Sequence, residues 1–510
     1  VTALRALVVC LACIGGLVVG GRDAATPGRA LAAARGPSVP ARGPLPAERT
    51  LTPTDPLAIE QWYLTRTRAL ELWPVLPPLA PVRVAVIDSG VDRRHPELVG
   101  RIAAARSFVG GSAQDTQGHG TIVAGVIAAE IDNGIGIAGL GPSVELLVAK
   151  VVAADRSISV RAESRAIRWA VDQGARVINM SLGGLRDPAS ARRDTYSRLE
   201  ADAIAYAVRK GALVVAAVGN GDQAPSEPWP YATYPAALPH VLGVSAIARS
   251  GAVPSFSNRD RIHNDVAAPG VDILSTFPRS LTARRRECVE QGTTLCAPAE
   301  FEAPEGTSFA APQVTAVAAN LIAVRPDLRA EQVSAIVQRT ARDSKPTSGC
   351  GACPPGRDAL TGWGELDGTA ALLALQRDLP APDALEPNDD AGRSAARLFF
   401  PPGARSRSVR ATLDFWDDRD DVYAVRLFKG QRLFASFGAS GAETALVLWS
   451  PGTVSVDDLA RQDLRLRVSA GPGAVEQLSW VARRTGWHYL QLRVVVPVGP
   501  VPYRLSIVRR

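Results

Sequence analysis

The stretch Glu305-Gly306-Thr307-Ser308-Phe309-Ala310-Ala311-Pro312 constrains the fold more than any other. Gly306 permits a sharp turn that a Cβ would obstruct. Ala310 to Ala323, with Val314, Val317 and Leu321 along one side, has the propensity and apolar spacing of a helix. Pro312 has no N–H, and the first turn is where that omission costs nothing, so the helix is expected to begin within a few residues of Ser308. A small hydroxyl is thereby set among unpaired backbone N–H groups, a setting that suits a nucleophile whose attack creates an oxyanion. The same Gly-Thr-Ser turn is also an ordinary helix cap. Function therefore depends on whether the rest of the chain brings a base, an acid to orient it and a second oxyanion donor.

At 510 residues the chain is long enough for two folded units. Its net charge is +7, yet only Lys150, Lys210, Lys345 and Lys429 are lysines and the arginines are scattered, apart from Arg284-Arg285-Arg286. That pattern reads as coding bias and a soluble surface, and no nucleic-acid partner is expected. Ala6 to Gly21 is an apolar run between Arg5 and Arg22, short for a membrane span, so residues 1–21 read as a signal peptide and 22–50, rich in Ala, Pro and Arg, as a linker. A secreted protein follows. An uncleaved segment would instead tether it to the cell envelope, the one circumstance in which a membrane is expected to be involved. Cys10 and Cys13 would leave with the signal. Cys288, Cys296, Cys350 and Cys353 then remain for disulfides, with three possible pairings; a zinc site is the alternative, but no His lies near them.

From residue 82 the chain alternates strand and helix. Val82 to Ile87 is a β-branched run whose carboxyl end delivers Asp88. Gly118 to Ala129 is a helix with small residues at Gly120, Ala124 and Gly125 and with His119 at its amino end, where the helix dipole is expected to keep the imidazole neutral. His95, His240, His263 and His488 have no such setting. Gly134 to Gly139 spells G-x-G-x-x-G, but it follows a helix and precedes the strand Leu146 to Val152, the wrong order for dinucleotide binding. Val160 to Gln173 and Leu199 to Arg209 are helical. Val177 to Met180, Leu213 to Val218 and Val241 to Ile247 are strands. The class is α/β, a parallel sheet with helices on both faces, and Asp88, His119, Ser181, Asn220 and Ser308 all fall at one edge of it.

Asp88, His119 and Ser308 occur in the order acid, histidine, serine. Two of the three familiar triad scaffolds run in other orders. With VAVIDSGVD at Val84 to Asp92, GHGTIVAGVIAA at Gly118 to Ala129, NMSLGG at Asn179 to Gly184, AAVGNG at Ala216 to Gly221 and GTSFAAP at Gly306 to Pro312, the chain resembles the subtilisin-like serine proteases over about residues 55–375. The resemblance implies Ser308 as nucleophile, His119 as general base and then acid, and Asp88 as the carboxylate that holds the imidazole, converging to hydrogen-bond reach. It implies Asn220 as an oxyanion donor and Ser181, Leu182, Gly183, Ala217 and Gly219 as substrate-binding positions. It also implies a structural Ca²⁺ held by Asp55, Glu97, Asn133 and the carbonyls of Ile131, Ile135 and Ile137.

The resemblance places a peptidase domain at residues 51–378, acting on proteins or peptides as a monomer. Residues 22–50 are too short for the folded propeptide common in the family, and Arg279 to Ala303 is an insertion just ahead of Ser308. Residues 379–392 read as a linker. Residues 393–510 read as a small antiparallel β-sandwich, its Glu386-Pro387-Asn388-Asp389 and Asp420-Asp421-Val422-Tyr423 segments resembling the bacterial pre-peptidase C-terminal domain. The function expected is a secreted serine endopeptidase working through an acyl-enzyme. The alternatives are an exported, non-catalytic binding protein on a protease scaffold, and an esterase or peptide ligase with the same triad.

Overall fold

Alternation of side chains along a strand, combined with apolar residues at both parities, forces a sheet that is covered on two sides. Strand β1 (Val82–Asp88) is such a case: Val82, Val84 and Val86 enter one apolar core and Ala85 and Ile87 the other. The structure is a computed structural model that describes residues 52–72, 79–222, 224–282, 293–296, 300–377, 384–471, 475–495 and 499–510. The signal peptide and linker expected over residues 1–50 lie outside the described residues, as do Arg284 to Arg286, Cys288 and the side chain of Cys296.

With β1, strands β2 (Ile102–Ser107), β3 (Val144–Lys150), β4 (Val177–Met180), β5 (Leu213–Ala217), β6 (Val241–Ile247) and β7 (Val266–Pro269) form one parallel sheet in the order β2-β3-β1-β4-β5-β6-β7. Helices α1 (His119–Ala128), α4 (Thr307–Val324) and α5 (Ala330–Thr340) cover the face of Val84. Helices α2 (Val160–Asp172) and α3 (Arg198–Arg209) cover the face of Ile87. The strand order turns around beside β1, which lies between β3 and β4. Asp88 and Ser181 therefore leave neighbouring strands at the carboxyl edge, where such sheets bind ligands.

Helix α4 begins at Thr307, as the Gly306 turn predicts, but Pro312 is the sixth residue of the helix rather than part of its first turn. A proline there removes the hydrogen bond to the carbonyl four residues back and costs about 3 kcal/mol in an unassisted helix. That carbonyl belongs to Ser308, and the Ser181 hydroxyl donates to it at 2.6 Å in place of the missing N–H. The proline is tolerated because tertiary structure supplies the donor. Sixteen of the eighteen residues of α4 are buried, so its all-round apolar composition reflects a position at the centre of the protein. Short strands β8 (Ser275–Thr276), β9 (Thr293–Cys296) and β10 (Phe301–Pro304) form an antiparallel sheet in the order β8-β10-β9, and β10 feeds the chain into Gly306.

The last third is the expected β-sandwich. One sheet holds β11 (Ala396–Leu398), β13 (Asp420–Leu427), β18 (Gly486–Val494), β15 (Thr444–Trp449) and β16 (Arg465–Gly471). The other holds β12 (Ser406–Leu413), β19 (Val501–Arg509), β14 (Arg432–Ala439) and β17 (Val475–Val481). Tyr423, Leu433, Phe437, Leu490 and Leu505 fill the space between them. The second half of the expected linker is not free: Asn388 is buried, its carbonyl accepts from Val422 N–H at 2.6 Å, and Ala391 packs with Trp449 and Val422. The Glu-Pro-Asn-Asp segment is thus packed against β13 through Asn388.

The sandwich rests on the first region through Gln332 Nε2 to Asp417 Oδ2 (2.8 Å), Arg357 Nη1 to the Asp457 carbonyl (2.9 Å) and the Arg261–Asp458 ion pair (3.1 Å). Among the cysteines, Cys350 and Cys353 form a disulfide between near neighbours.

Candidate active site

Asp88 ends β1 and is 2% exposed, with both carboxylate oxygens facing His119 Nδ1 at 2.8 and 3.0 Å. A carboxylate only accepts, so Nδ1 carries the proton and Nε2 is left as the acceptor. The approach is close because Gly120 has no side chain: a Cβ there would lie 2.1 Å from the Gly90 carbonyl and 3.1 Å from Asp88 Cβ.

Helix α1 is held at its amino end by Asp115, a buried residue that the sequence motifs do not include. Its Oδ1 accepts from Gln117 N–H, Gly118 N–H and the Ser89 hydroxyl, and its Oδ2 from the N–H and hydroxyl of Thr121. Gly120 N–H donates to Ser89 Oγ at 2.9 Å, which ties the helix back to the end of β1. Asp115 satisfies donors at the start of the helix from two, three and six residues upstream, and Ser89 from across the sheet edge.

Nearby charges act on His119 against the direction expected from the helix dipole. Burial pushes the imidazole pKa down, but the Asp88 charge, the Asp88 hydrogen bond and the Asp115 charge together lift it above the ordinary histidine value. The side chain is 36% exposed, so water discounts the burial effect and the direction is upward. Two carboxylates outweigh the burial.

Ser308 is the second residue of α4 and lies at the same edge of the sheet. Its hydroxyl donates to the Ser181 carbonyl at 3.1 Å and forms no hydrogen bond with His119 among the described residues. Asp88 and His119 are therefore brought together, while Ser308 lies alongside with its hydroxyl turned to Ser181. The Phe309 ring, next in the chain, lies 5.3 Å from the imidazole, centre to centre. Beneath Ser308 runs a buried relay: Thr315 Oγ1 donates to Asn179 Oδ1, Asn179 Nδ2 to Ser181 Oγ, and Ser181 Oγ to the Ser308 carbonyl.

Asn220 is oriented from the same helix end. Its Oδ1 accepts from Thr307 N–H (2.9 Å) and Thr307 Oγ1 (2.8 Å), and Gly219 N–H donates to Thr307 Oγ1 at 3.2 Å. Nδ2 donates no hydrogen bond among the described residues. A Cβ on Gly306, at φ +142°, would lie 3.1 Å from it. A cavity of about 160 Å³ opens beside Asn220 and Ser308. Leu182, Gly183, Ala217 and Gly219 line it, together with Leu185 and Thr233. Ser181 is 3% exposed and lies behind the cavity wall, holding Ser308 from below.

The residues suggested for an ion also meet. Asp55 accepts from the backbone N–H groups of Asp132 and Asn133, and Glu97 from Asn133 Nδ2 and Ile137 N–H. Gly136 allows the loop to close, since a Cβ would lie 2.0 Å from Glu97 Oε1. The carbonyls of Ile131, Ile135 and Ile137 accept no backbone hydrogen bond among the described residues. Glu97, 1% exposed, is pushed up to about 7 by burial, with Asp55 and Glu130 adding to the rise. Glu97 has no cationic partner among the described residues, and oxygen donors of the kind that hard cations take surround it.

Comparison with known sequences decides the family. The sequence profile of the subtilase family matches residues 80–364, more than half of the chain. The chain belongs to the subtilase family. It is 32% identical to thermitase of Thermoactinomyces vulgaris over 294 residues, 57% of this chain and 91% of that one. It is 35% identical to the major intracellular serine protease of Bacillus subtilis over 241 residues (45% and 69%) and 34% identical to subtilisin Savinase of Lederbergia lenta over 262 residues (51% and 83%). This subtilase is accordingly a serine-type endopeptidase that acts on protein or peptide substrates. The family match ends before the sandwich.

Proposed function

We propose that this subtilase is a secreted endopeptidase in which Ser308 attacks the peptide carbonyl, His119 moves the proton, Asp88 fixes the imidazole tautomer, and Asn220 Nδ2 with the Ser308 N–H receives the oxyanion. What carries the reading is the 2.8 Å Asp88–His119 contact at the edge where Ser308 and Asn220 share one cavity wall. On substrate binding the Ser308 hydroxyl turns from the Ser181 carbonyl to His119 Nε2. Its proton passes to Nε2 as the Oγ–C bond forms, and the carbonyl electron pair moves onto oxygen between the two donors. Collapse breaks the C–N bond, the imidazolium gives its proton to the leaving amine, and water repeats the sequence on the acyl-enzyme. The freed Ser181 carbonyl and the backbone of Leu182 and Gly183 pair with the substrate as an added strand, while Ala217 and Gly219 flank its side chain.

Asp55, Glu97, Asn133 and the three isoleucine carbonyls would hold Ca²⁺, which would supply positive charge to the two buried acids. Cleavage of a peptide library by the purified chain tests the reading. Ser308→Ala must abolish cleavage, and competition by peptide substrates must suppress any ester hydrolysis. A folded wild-type chain that bound peptides without cutting them would favour the non-catalytic binding protein.

The ion has its own test. Without a cation, a carboxyl whose pKa rises from the ordinary 4.5 to about 7 on folding favours the folded state at low pH and loses that contribution as pH climbs through 7. EDTA should therefore lower the melting temperature more at pH 8 than at pH 5. An equal effect at both would contradict the assignment.

A further inference from the structure

Four segments far apart in sequence, 397–407, 426–434, 480–488 and 504–510, meet at one end of the sandwich. Strands β13, β17 and β19 finish there, and β14 and β18 begin there. Gly430 N–H donates to the Ala482 carbonyl, Arg432 N–H to that of Arg510 and Arg509 N–H to that of Arg405, at 2.7–2.8 Å. In turn the segments carry three, three, two and three Arg or Lys, and no Asp or Glu; the connection between β15 and β16, which also reaches this end, adds Asp463, paired with Arg461 at 3.0 Å. None of the cations in the four segments enters an ion pair among the described residues. The acids Asp414, Asp417, Asp418, Asp420 and Asp421 lie at the other end of β13, near Gln332 of the peptidase. An eight-residue strand separates the two ends by roughly 25 Å.

Aromatic rings share the basic end. Phe399 is 65% and Phe428 55% exposed. Arg426 lies over Phe428 at 5.7 Å, Arg432 and Arg510 over Phe434 at 5.9 and 5.5 Å, and Arg397 over Trp487 at 5.4 Å. Such contacts hold guanidinium groups in place for an anionic partner. A polyanion dissolved in water would gain little from the two exposed phenylalanines. A bilayer surface uses both features, attracting the cations to its headgroups and burying the rings at their boundary with the acyl chains.

We propose that this end of the sandwich docks on an anionic phospholipid surface, with Phe399 and Phe428 entering the headgroup layer and the peptidase held on the side away from the bilayer. The attachment is independent of the apolar segment at Ala6 to Gly21 and extends beyond proteolysis itself.

The test uses the full chain carrying Ser308→Ala, to prevent self-digestion, and vesicles of phosphatidylcholine with or without about 30 mol % phosphatidylglycerol in about 0.1 M salt. The chain should sediment with the anionic vesicles alone. Arg432→Glu, Arg483→Glu and Arg510→Glu together should weaken that partition on the order of a hundredfold, at about fivefold for each cation removed. Phe399→Ser with Phe428→Ser should weaken it about tenfold while binding to soluble polyphosphate stays the same. Both sets are surface changes, and unaltered melting curves establish that the variants fold. Equal binding to neutral vesicles, or full binding by the charge-reversed variant, would overturn the proposal and point to the N-terminal segment as the anchor. No loss in the phenylalanine variant, with polyphosphate competing fully, would overturn it in favour of a soluble polyanion.

Discussion

The two halves of the candidate site are built to different degrees of completion. Asp88 and His119 already touch, locked by the end of β1, the absence of a side chain at Gly120 and the buried cap Asp115. Ser308 and Asn220 stand ready at the amino end of α4, but the Ser308 hydroxyl donates to the Ser181 carbonyl. The acid–base half is fixed by several contacts at once, since Asp88 Oδ1 also accepts from Ser89 N–H at 2.6 Å while it faces His119. The hydroxyl half contains one rotatable group with two possible acceptors, and the gap left by Pro312 is what recruits Ser181 to its side. Pre-organisation is thus concentrated in the groups that would move a proton, while the nucleophile has one torsion to change on substrate binding.

Breaking the fixed half should have the larger effect. Asp88→Asn keeps the shape but offers the imidazole a donor, so His119 takes the wrong tautomer. The expected loss in kcat is about 10⁴-fold, the scale known for this change in another serine protease. Removing the fixed donor of the other half comes next. Asn220→Ala should lower kcat by two to three orders of magnitude with KM nearly unchanged, as loss of the corresponding donor does in subtilisin. A loss confined to KM would show that Asn220 binds substrate rather than the oxyanion.

Ser181→Ala sharpens the comparison. It removes the donor that replaces the Pro312 N–H and leaves the Ser308 carbonyl unpaired, a cost of about 1–3 kcal/mol. The melting temperature should fall by several degrees and kcat by about tenfold. An unchanged melting temperature would mean that α4 does not need this bond. The smallest effect on turnover is expected from Asp115→Asn, although its NH₂ would face backbone donors at the start of α1 and so lower the melting temperature. Because Asp115 raises the His119 pKa, and His119 must be unprotonated to accept a proton, the acidic limb of kcat/KM should move to lower pH while the plateau changes only a few-fold. A limb that stayed in place would remove Asp115 from the electrostatics of the site.

The sequence carries the parallel sheet plainly, because β-branched runs such as Val82 to Ile87 and Val241 to Ile247 have no other stable use and the glycine-bounded motifs mark where they end. It marks the cavity wall for the same reason: Gly183 and Gly219 are places where a Cβ would strike Thr233. Asp115 is only half legible: its spacing to Gln117 and Gly118 is that of a local turn, whereas its contact with Ser89 requires the fold. The elevated His119 pKa is not legible, because the helix dipole can be read from position but the summed charge of Asp88 and Asp115 requires distances. Pro312 misleads for a related reason: local rules confine it to a first turn, and the compensating donor lies 131 residues away at Ser181. Arginines that look scattered along the chain gather at the far end of the sandwich only because β13, β14, β17, β18 and β19 pair as they do.

The central claim, that the four groups at this edge form one catalytic unit with Ser308 as its nucleophile, is tested most directly by a fluorophosphonate probe and mapping of the labelled residue. The account predicts a single adduct on Ser308, abolished by Ser308→Ala and nearly abolished by His119→Ala. No adduct on the folded wild-type chain, or an adduct on another serine that persists in Ser308→Ala, would contradict it.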